Sequence, residues 1–184
     1  MPRLYVALRF PEWAADMLAE ATGGLPGADW TESQDYHLTL RFLGETDDAV
    51  FSGFRKGLEG LSAKSFHLNL KGLGLFPLRG DPDTLWAGVE RNEALQSLRN
   101  KVESVAVRNG VPPETRKFHP HVTLARVRDC RPDWVGTYLV SRSLLSIPEI
   151  PIQSFGLFSS KLGPEGAVHT LESEYMLDGL LEAD

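Results

Sequence analysis

Cysteine is nearly absent. One thiol, Cys130, in 184 residues can form neither an internal disulfide nor a cysteine-based zinc site, which fits a reducing compartment, and Cys130 itself needs no functional role. No run approaches the roughly 20 apolar residues of a membrane span, and the opening MPRLYVALRFPEW lacks the apolar core and cleavage site of a secretory leader. The expectation is a soluble, cytoplasmic protein without membrane association. Gly-x-Ser-x-Gly, the P-loop and the dinucleotide fingerprint are all missing, which argues against serine-hydrolase, NTPase and nicotinamide chemistry. Basic charge is also short, at 19 Lys and Arg against 25 Asp and Glu, so the net charge of −6 repels polyanions at long range and disfavours a non-specific nucleic-acid coat.

What remains is a globular composition, 42% hydrophobic and 24% charged, with 17 Gly and 12 Pro too few for a fibrous or low-complexity chain. No flexible linker divides it, and a single domain over residues 1–184 is expected. β-Forming runs open the chain at Arg3–Phe10 and recur at Tyr36–Leu43, Ser65–Phe76, Leu85–Glu90, His119–Val127, Ile152–Ser159 and Val168–Leu177. Helical signals follow Pro11, Asp47, Asn92 and Pro132, with Gly23, Gly24 and Gly110 as stops. The segments LRGDPDT and KLGPEG read as turns. Charge is uneven along this order. Between Arg108 and Arg131, six basic residues stand against Glu114 and Asp129.

The chain also repeats itself. HLTLRFLGE from His37 and HVTLARVRD from His121 share the frame His, apolar, Thr, Leu. Shuffling this composition would produce that tetrad only ~0.04 times, well outside the false-positive risk of short motifs. Strand alternation puts His37 and Thr39 on one face with Leu38 and Leu40 on the core face, and it treats His121, Thr123, Val122 and Leu124 alike. Two imidazoles near pKa 6.5 suit paired general acid and base work, and hydroxyls two residues on can donate to the non-bridging oxygens of a phosphoryl centre. The set suits displacement at a phosphodiester without a metal or other cofactor.

The paired segments HLTLRFLGE and FHPHVTLAR, 84 residues apart, resemble the two H-x-T-x motifs of the 2H phosphoesterase superfamily. RLYVALRFP, LWAGVE and LFSSKLGPEG point to its RNA 2′,3′-cyclic phosphodiesterase branch, historically called 2′-5′ RNA ligases. The resemblance covers nearly the whole chain. It implies a bilobal α+β fold in which two antiparallel sheets, related by a pseudo-two-fold axis, carry the motifs into a central cleft with helices outside. It also implies metal-independent, cofactor-free hydrolysis of an RNA 2′,3′-cyclic phosphate end, or of a small cyclic nucleotide, to a 2′-phosphomonoester by a monomer that needs no protein partner. His37 would then donate a proton to the departing 3′ oxygen, His121 would activate water, and Thr39 and Thr123 would hold the phosphate.

Such relatives place an arginine at Arg126, yet simple alternation puts that residue opposite His121, so a bulge or strand end must intervene. By the same parity Arg41 shares the His37 face and is the alternative cation. Phe42 and Phe118 are candidates to stack a base, with burial in the core as the competing reading. His169 stands where relatives often carry Tyr; it and His67 read as non-catalytic. Three rival functions remain: a metal site from His37, His119 and His121, a nucleotide or RNA-end binding module without turnover, and 2′-5′ ligation as a side activity.

Overall fold

A computed structural model describes residues 3–76, 83–163 and 166–179. Strand β1 (Arg3–Arg9) leads into helix α1 (Glu12–Ala19), the short strand β2 (Ala28–Trp30), one 3-10 turn (Ser33–Asp35) and β3 (His37–Glu45). Helix α2 (Asp48–Glu59) follows, then β4 (Phe66–Phe76), β5 (Asp83–Val89), α3 (Glu93–Arg108) and β6 (His121–Val127). The chain closes with α4 (Pro132–Ser141), β7 (Ser146–Ile152), β8 (Ser154–Gly163) and β9 (Gly166–Met176). The helices begin where the sequence places their caps. Asp47 Oδ1 accepts from the Val50 N–H at 2.8 Å and Asn92 Oδ1 from the Leu95 N–H at 2.9 Å, satisfying donors that a first turn leaves unpaired. Gly110, at φ +85°, ends the run after α3 in a conformation that costs other residues more. Residues 78–82 of the expected LRGDPDT turn, and 164 and 165 of KLGPEG, lie outside the described residues.

Every strand pairs antiparallel, in the order β7-β4-β5-β6-β3-β1-β8-β9, with β2 beside β6. The two expected sheets are therefore two halves of one sheet. They meet where β3 and β6, the two motif strands, pair through Leu38 and Val122. Reading outward from that seam, β3, β1, β8 and β9 mirror β6, β5, β4 and β7. The halves are interleaved in sequence: β4 leaves the first motif to join the second half, and β8 and β9 return to the first. Two strands went unpredicted, β2 and the Pro-containing edge strand β7, and α4 runs longer than expected.

The helices pack on one face. Ala14 and Leu18 of α1, Phe54 and Leu58 of α2, and Leu95, Leu98 and Val102 of α3 close over Leu8, Leu38, Leu40, Val122 and Leu124. Val135 and Tyr138 of α4 join Leu85, Ala125 and Val127 in a second cluster. Leu38 and Val122 are at 0% exposure, so the seam is buried from the helix side and the motif histidines fall on the other face. Leu38→Ala should cost ~2–5 kcal/mol of stability, measured by urea unfolding, because it opens a cavity where the half-sheets meet. A loss within ~0.5 kcal/mol would show that the seam does not hold the halves together.

Candidate active site

Extending the Leu38–Val122 pair by one residue each way sets His37 opposite Thr123 and Thr39 opposite His121. All four side chains are half-buried on the helix-free face. Both imidazoles are held in the same way. His37 Nδ1 lies 2.7 Å from the Asp35 carbonyl, and His121 Nδ1 lies 2.7 Å from the His119 carbonyl. A carbonyl only accepts, so each Nδ1 carries the proton and donates it; each neutral ring thereby keeps its Nε2 lone pair free.

Burial pushes the His37 pKa below its ordinary 6.5, the Asp35 carbonyl opposes this, and the nearby His169 and His121 rings add to the depression. His121 is lowered chiefly by burial as well; its bond to the His119 carbonyl opposes this, and the His119 ring and the Arg126 guanidinium push the same way as burial. The two rings present lone pairs and resist protonation.

Each motif strand carries an extra residue at the Leu of its tetrad, with a second at Leu43 in β3, and the first of these settles the arginines. Against β1, Val6 pairs with Arg41 and Ala7 with Thr39, leaving Leu40 unpaired; against β5, Leu85 pairs with Ala125 and Trp86 with Thr123, leaving Leu124 unpaired. Both bulges fall on the Leu of the tetrad and reverse the pleat beyond it. Arg126 therefore lies on the His121 side, exposed, with Nη1 donating to Thr84 Oγ1 at 2.6 Å. Phe42 lies on the His37 side, 56% exposed and 5.8 Å from the Tyr5 ring. The parity expectation for Arg41 fails for the same reason. The bulge turns Arg41 into the protein, where it is 8% exposed and ion-paired with Glu103 and Glu114, so it does not serve as a phosphate contact. Phe118 packs partly against the core under the Arg99 guanidinium.

Several residues of this face escaped the sequence. Tyr5 lies 5.2 Å from His37 ring to ring, stacks on Phe158 at 5.3 Å, and places its hydroxyl 2.7 Å from His169 Nδ1. Burial pushes the Tyr5 pKa up to about 12, so it stays a neutral phenol. His169, read from the sequence as non-catalytic, is 5.8 Å from His37 and helps line a cavity of about 70 Å³ with Arg9 and Asp35. Beside His121 stand Phe76 at 5.0 Å, Trp86 at 6.2 Å and, through those two rings, His119. A larger cavity of about 670 Å³ opens past Trp86, Phe118 and His119. One signal could have found these walls: Gly-Leu-Phe occurs at 74–76 and again at 156–158, on the matching strands β4 and β8. A Cβ at Gly74 would enter the Trp86 ring, and one at Gly156 would press on Phe158 and Leu171, so each glycine seats an aromatic wall. His67 touches none of this; its carbonyl accepts from Asn92 Nδ2. Among the described residues no three His, Cys, Asp or Glu side chains converge as metal ligands.

Two stretches of the chain, 9–86 and 88–169, match the family described as LigT-like phosphoesterases, and each holds one tetrad. The chain belongs to that family. The resemblance to 2H phosphoesterases drawn from the twin motifs is thus borne out. Among LigT-like relatives, an RNA 2′,3′-cyclic phosphodiesterase of Thermus thermophilus is 34% identical over 96% of this chain and 91% of its own. An enzyme of the same name from Aeropyrum pernix is 38% identical over 54% of this chain, which spans 57% of that relative's length. A solved Thermus thermophilus structure, 26% identical, superposes with a TM-score of 0.76 over 96% of this chain and 98% of that one. The α+β architecture read from sequence is accordingly that of LigT-like proteins.

Because burial disfavours the imidazolium, a ¹⁵N NMR pH titration should find both His37 and His121 neutral at pH 7, each taking up its proton only as the pH falls below 6.5. Midpoints at or above 6.5 in the free protein would contradict the buried, lone-pair-presenting geometry.

Proposed function

We propose that this protein hydrolyses the 2′,3′-cyclic phosphate end of RNA to a 2′-phosphomonoester, with His37 and His121 exchanging the two protons. The observation that carries this reading is the twin Nδ1–carbonyl bond, which aims two Nε2 atoms from opposite sides of one seam with a threonine across from each. The names of the relatives from Thermus thermophilus and Aeropyrum pernix supply the substrate class.

In the reaction a water oxygen bonds to phosphorus as the bond from phosphorus to O3′ breaks. One Nε2 takes the proton from that water, and the other ring, as imidazolium, gives its proton to O3′. The Arg126 guanidinium disfavours a second positive charge on His121, which supports His121 as the base and leaves His37 as the acid. Binding the anionic phosphate offsets the depression of the His37 pKa and so loads the acid when substrate is present. Thr39 and Thr123 donate to the non-bridging oxygens, and Arg126 offsets their growing charge. Phe42, exposed over Tyr5, offers a flat face to the terminal base. The protonation states of the two rings are exchanged after one turnover and return through solvent. The substrate set is an RNA end or a small cyclic nucleotide, met by one chain without a cofactor. No helix among the described residues is long and apolar enough to cross a membrane.

The test is to incubate the purified protein with a short RNA ending in 2′,3′-cyclic phosphate, with EDTA present, and to identify the product by chromatography and mass. Conversion to the 2′-phosphate is expected, with His37→Ala and His121→Ala each slowing turnover at least ~100-fold while the fold is kept. Thr39→Val and Thr123→Val should each cost ~10-fold, the worth of one charge-assisted hydrogen bond. Loss of activity in EDTA, or near-normal rates in either folded histidine variant, would overturn the reading.

A further inference from the structure

The seam poses a mechanical question. In-line displacement needs the two histidines in fixed relation, yet the strands that carry them share one bridged pair, Leu38 with Val122, while each is laddered at length to its other neighbour. The approach to His121 is also irregular: from Val111 to Pro120 the backbone is neither helix nor strand. That segment includes His119, whose carbonyl accepts the hydrogen bond from His121 Nδ1–H. Something outside the sheet must hold it.

Arg41 reaches it from the other motif. Carried inward by the bulge at Leu40, its Nη2 donates to the Pro112 carbonyl at 2.5 Å, and its Nη1 donates to the Phe42 carbonyl at 2.6 Å. Nη1 also lies 3.8 Å from Glu114 Oε2, and Nε lies 2.7 Å from Glu103 Oε2 of α3, a Coulombic approach without the alignment of a hydrogen bond. Both carboxylates turn back onto the same segment. Glu103 Oε1 accepts the Glu114 N–H at 2.9 Å, and Glu114 accepts from the N–H, Nε and Nη2 of Arg116. Those Arg116 bonds hold the Glu114 pKa well below the usual carboxylate range, at about 2, so the strut stays charged at any working pH. Farther along, Arg99, 3.7 Å from Glu103, lies over the Phe118 ring just before His119.

We propose that Arg41 is a positioning residue that ties the first motif strand to the segment delivering His121, and so sets the placement of one motif histidine relative to the other. The role rests on the acid–base reading of the pair given above. Arg41 touches no reacting atom; it acts through Pro112, Glu114 and Glu103. His37 has a separate anchor in the Asp35 carbonyl, and this makes the role separable from a general contribution to the fold.

The experiment compares Arg41→Gln and Arg41→Lys with the unaltered protein by two readouts. The first is the imidazole ¹H–¹⁵N spectrum, which reports each Nδ1–H without any substrate. The second is turnover of an RNA 2′,3′-cyclic phosphate. In Arg41→Gln the His121 Nδ1–H resonance should shift or broaden while that of His37 stays in place, and kcat should fall ~10- to 100-fold with KM little changed. Arg41→Lys, which keeps the charge but loses the fork, should recover part of both. If Arg41→Gln does not fold, Glu114→Gln, which removes the charge that Arg41 meets in the segment and leaves the Pro112 bond in place, is read in its stead, with a smaller but equally selective shift of the His121 resonance expected. An unmoved His121 resonance, equal disturbance of both histidines, or unchanged kcat in an active folded variant would each overturn the proposal. An inactive parent protein whose His121 resonance still responds selectively to Arg41→Gln would sink the phosphodiesterase reading and leave the positioning role standing.

Discussion

The extra residue that β3 and β6 each insert at the leucine of the tetrad reverses the pleat for everything beyond it, and the functional face is arranged around that reversal. Before the bulge, histidine and threonine look away from the helices; after it, the next position turns inward and the one beyond turns out. In β6 the inward place goes to Ala125 and the outward one to Arg126, so a cation arrives beside His121. In β3 the inward place goes to Arg41 and the outward one to Phe42. One backbone device used twice thus yields a charge on one side and an aromatic face on the other. Near-identical motifs become functionally unlike through the two residues that follow them.

Much of this was legible because the forces involved are local. Asp47 and Asn92 cap helices by satisfying the first free N–H groups, and alternation in HLTL and HVTL assigns core and open faces correctly for four residues. Alternation then failed at Arg41, since a bulge is a property of the pair of strands and leaves no mark in one of them. The need for some irregularity was readable at Arg126, but the same irregularity was not carried over to the sister strand. Strand β7 was missed because SIPEIPI holds two prolines, which a sheet tolerates at an edge, and β7 lies at the edge beyond β4. The three residues of β2 are too few to show a period. The neighbours of His169, Tyr5 and His37, were not legible because they lie far away in sequence and are brought to it only by β8 and β9.

The two halves also share a rule for their aromatic walls. Gly74 leaves room for Trp86 of the neighbouring strand, and Gly156 for Phe158 and Leu171. These uncharged rings stand beside His121 and, behind Tyr5, near His37, and burial lowers both histidine pKa values. The symmetry is broken at the ends, however. The space beside His37 is small and rimmed by Arg9, Asp35 and His169, while on the other half a cavity of about 670 Å³ is lined by Trp86, Phe118 and His119.

The interleaving of the half-sheets bears on how the chain acquires its structure. The first motif strand is made early, but its own half-sheet is closed by β8 and β9, which lie near the far end of the sequence. During synthesis the half containing His37 must wait for partners that leave the ribosome last, whereas the half containing His121 has β4 through β7 in hand beforehand. These long-range ladders carry a high loop-closure cost, so the order of emergence favours the His121 half as the template on which the other is completed. Without β8, the side of β1 away from β3 is an open strand edge of the kind that invites mispairing.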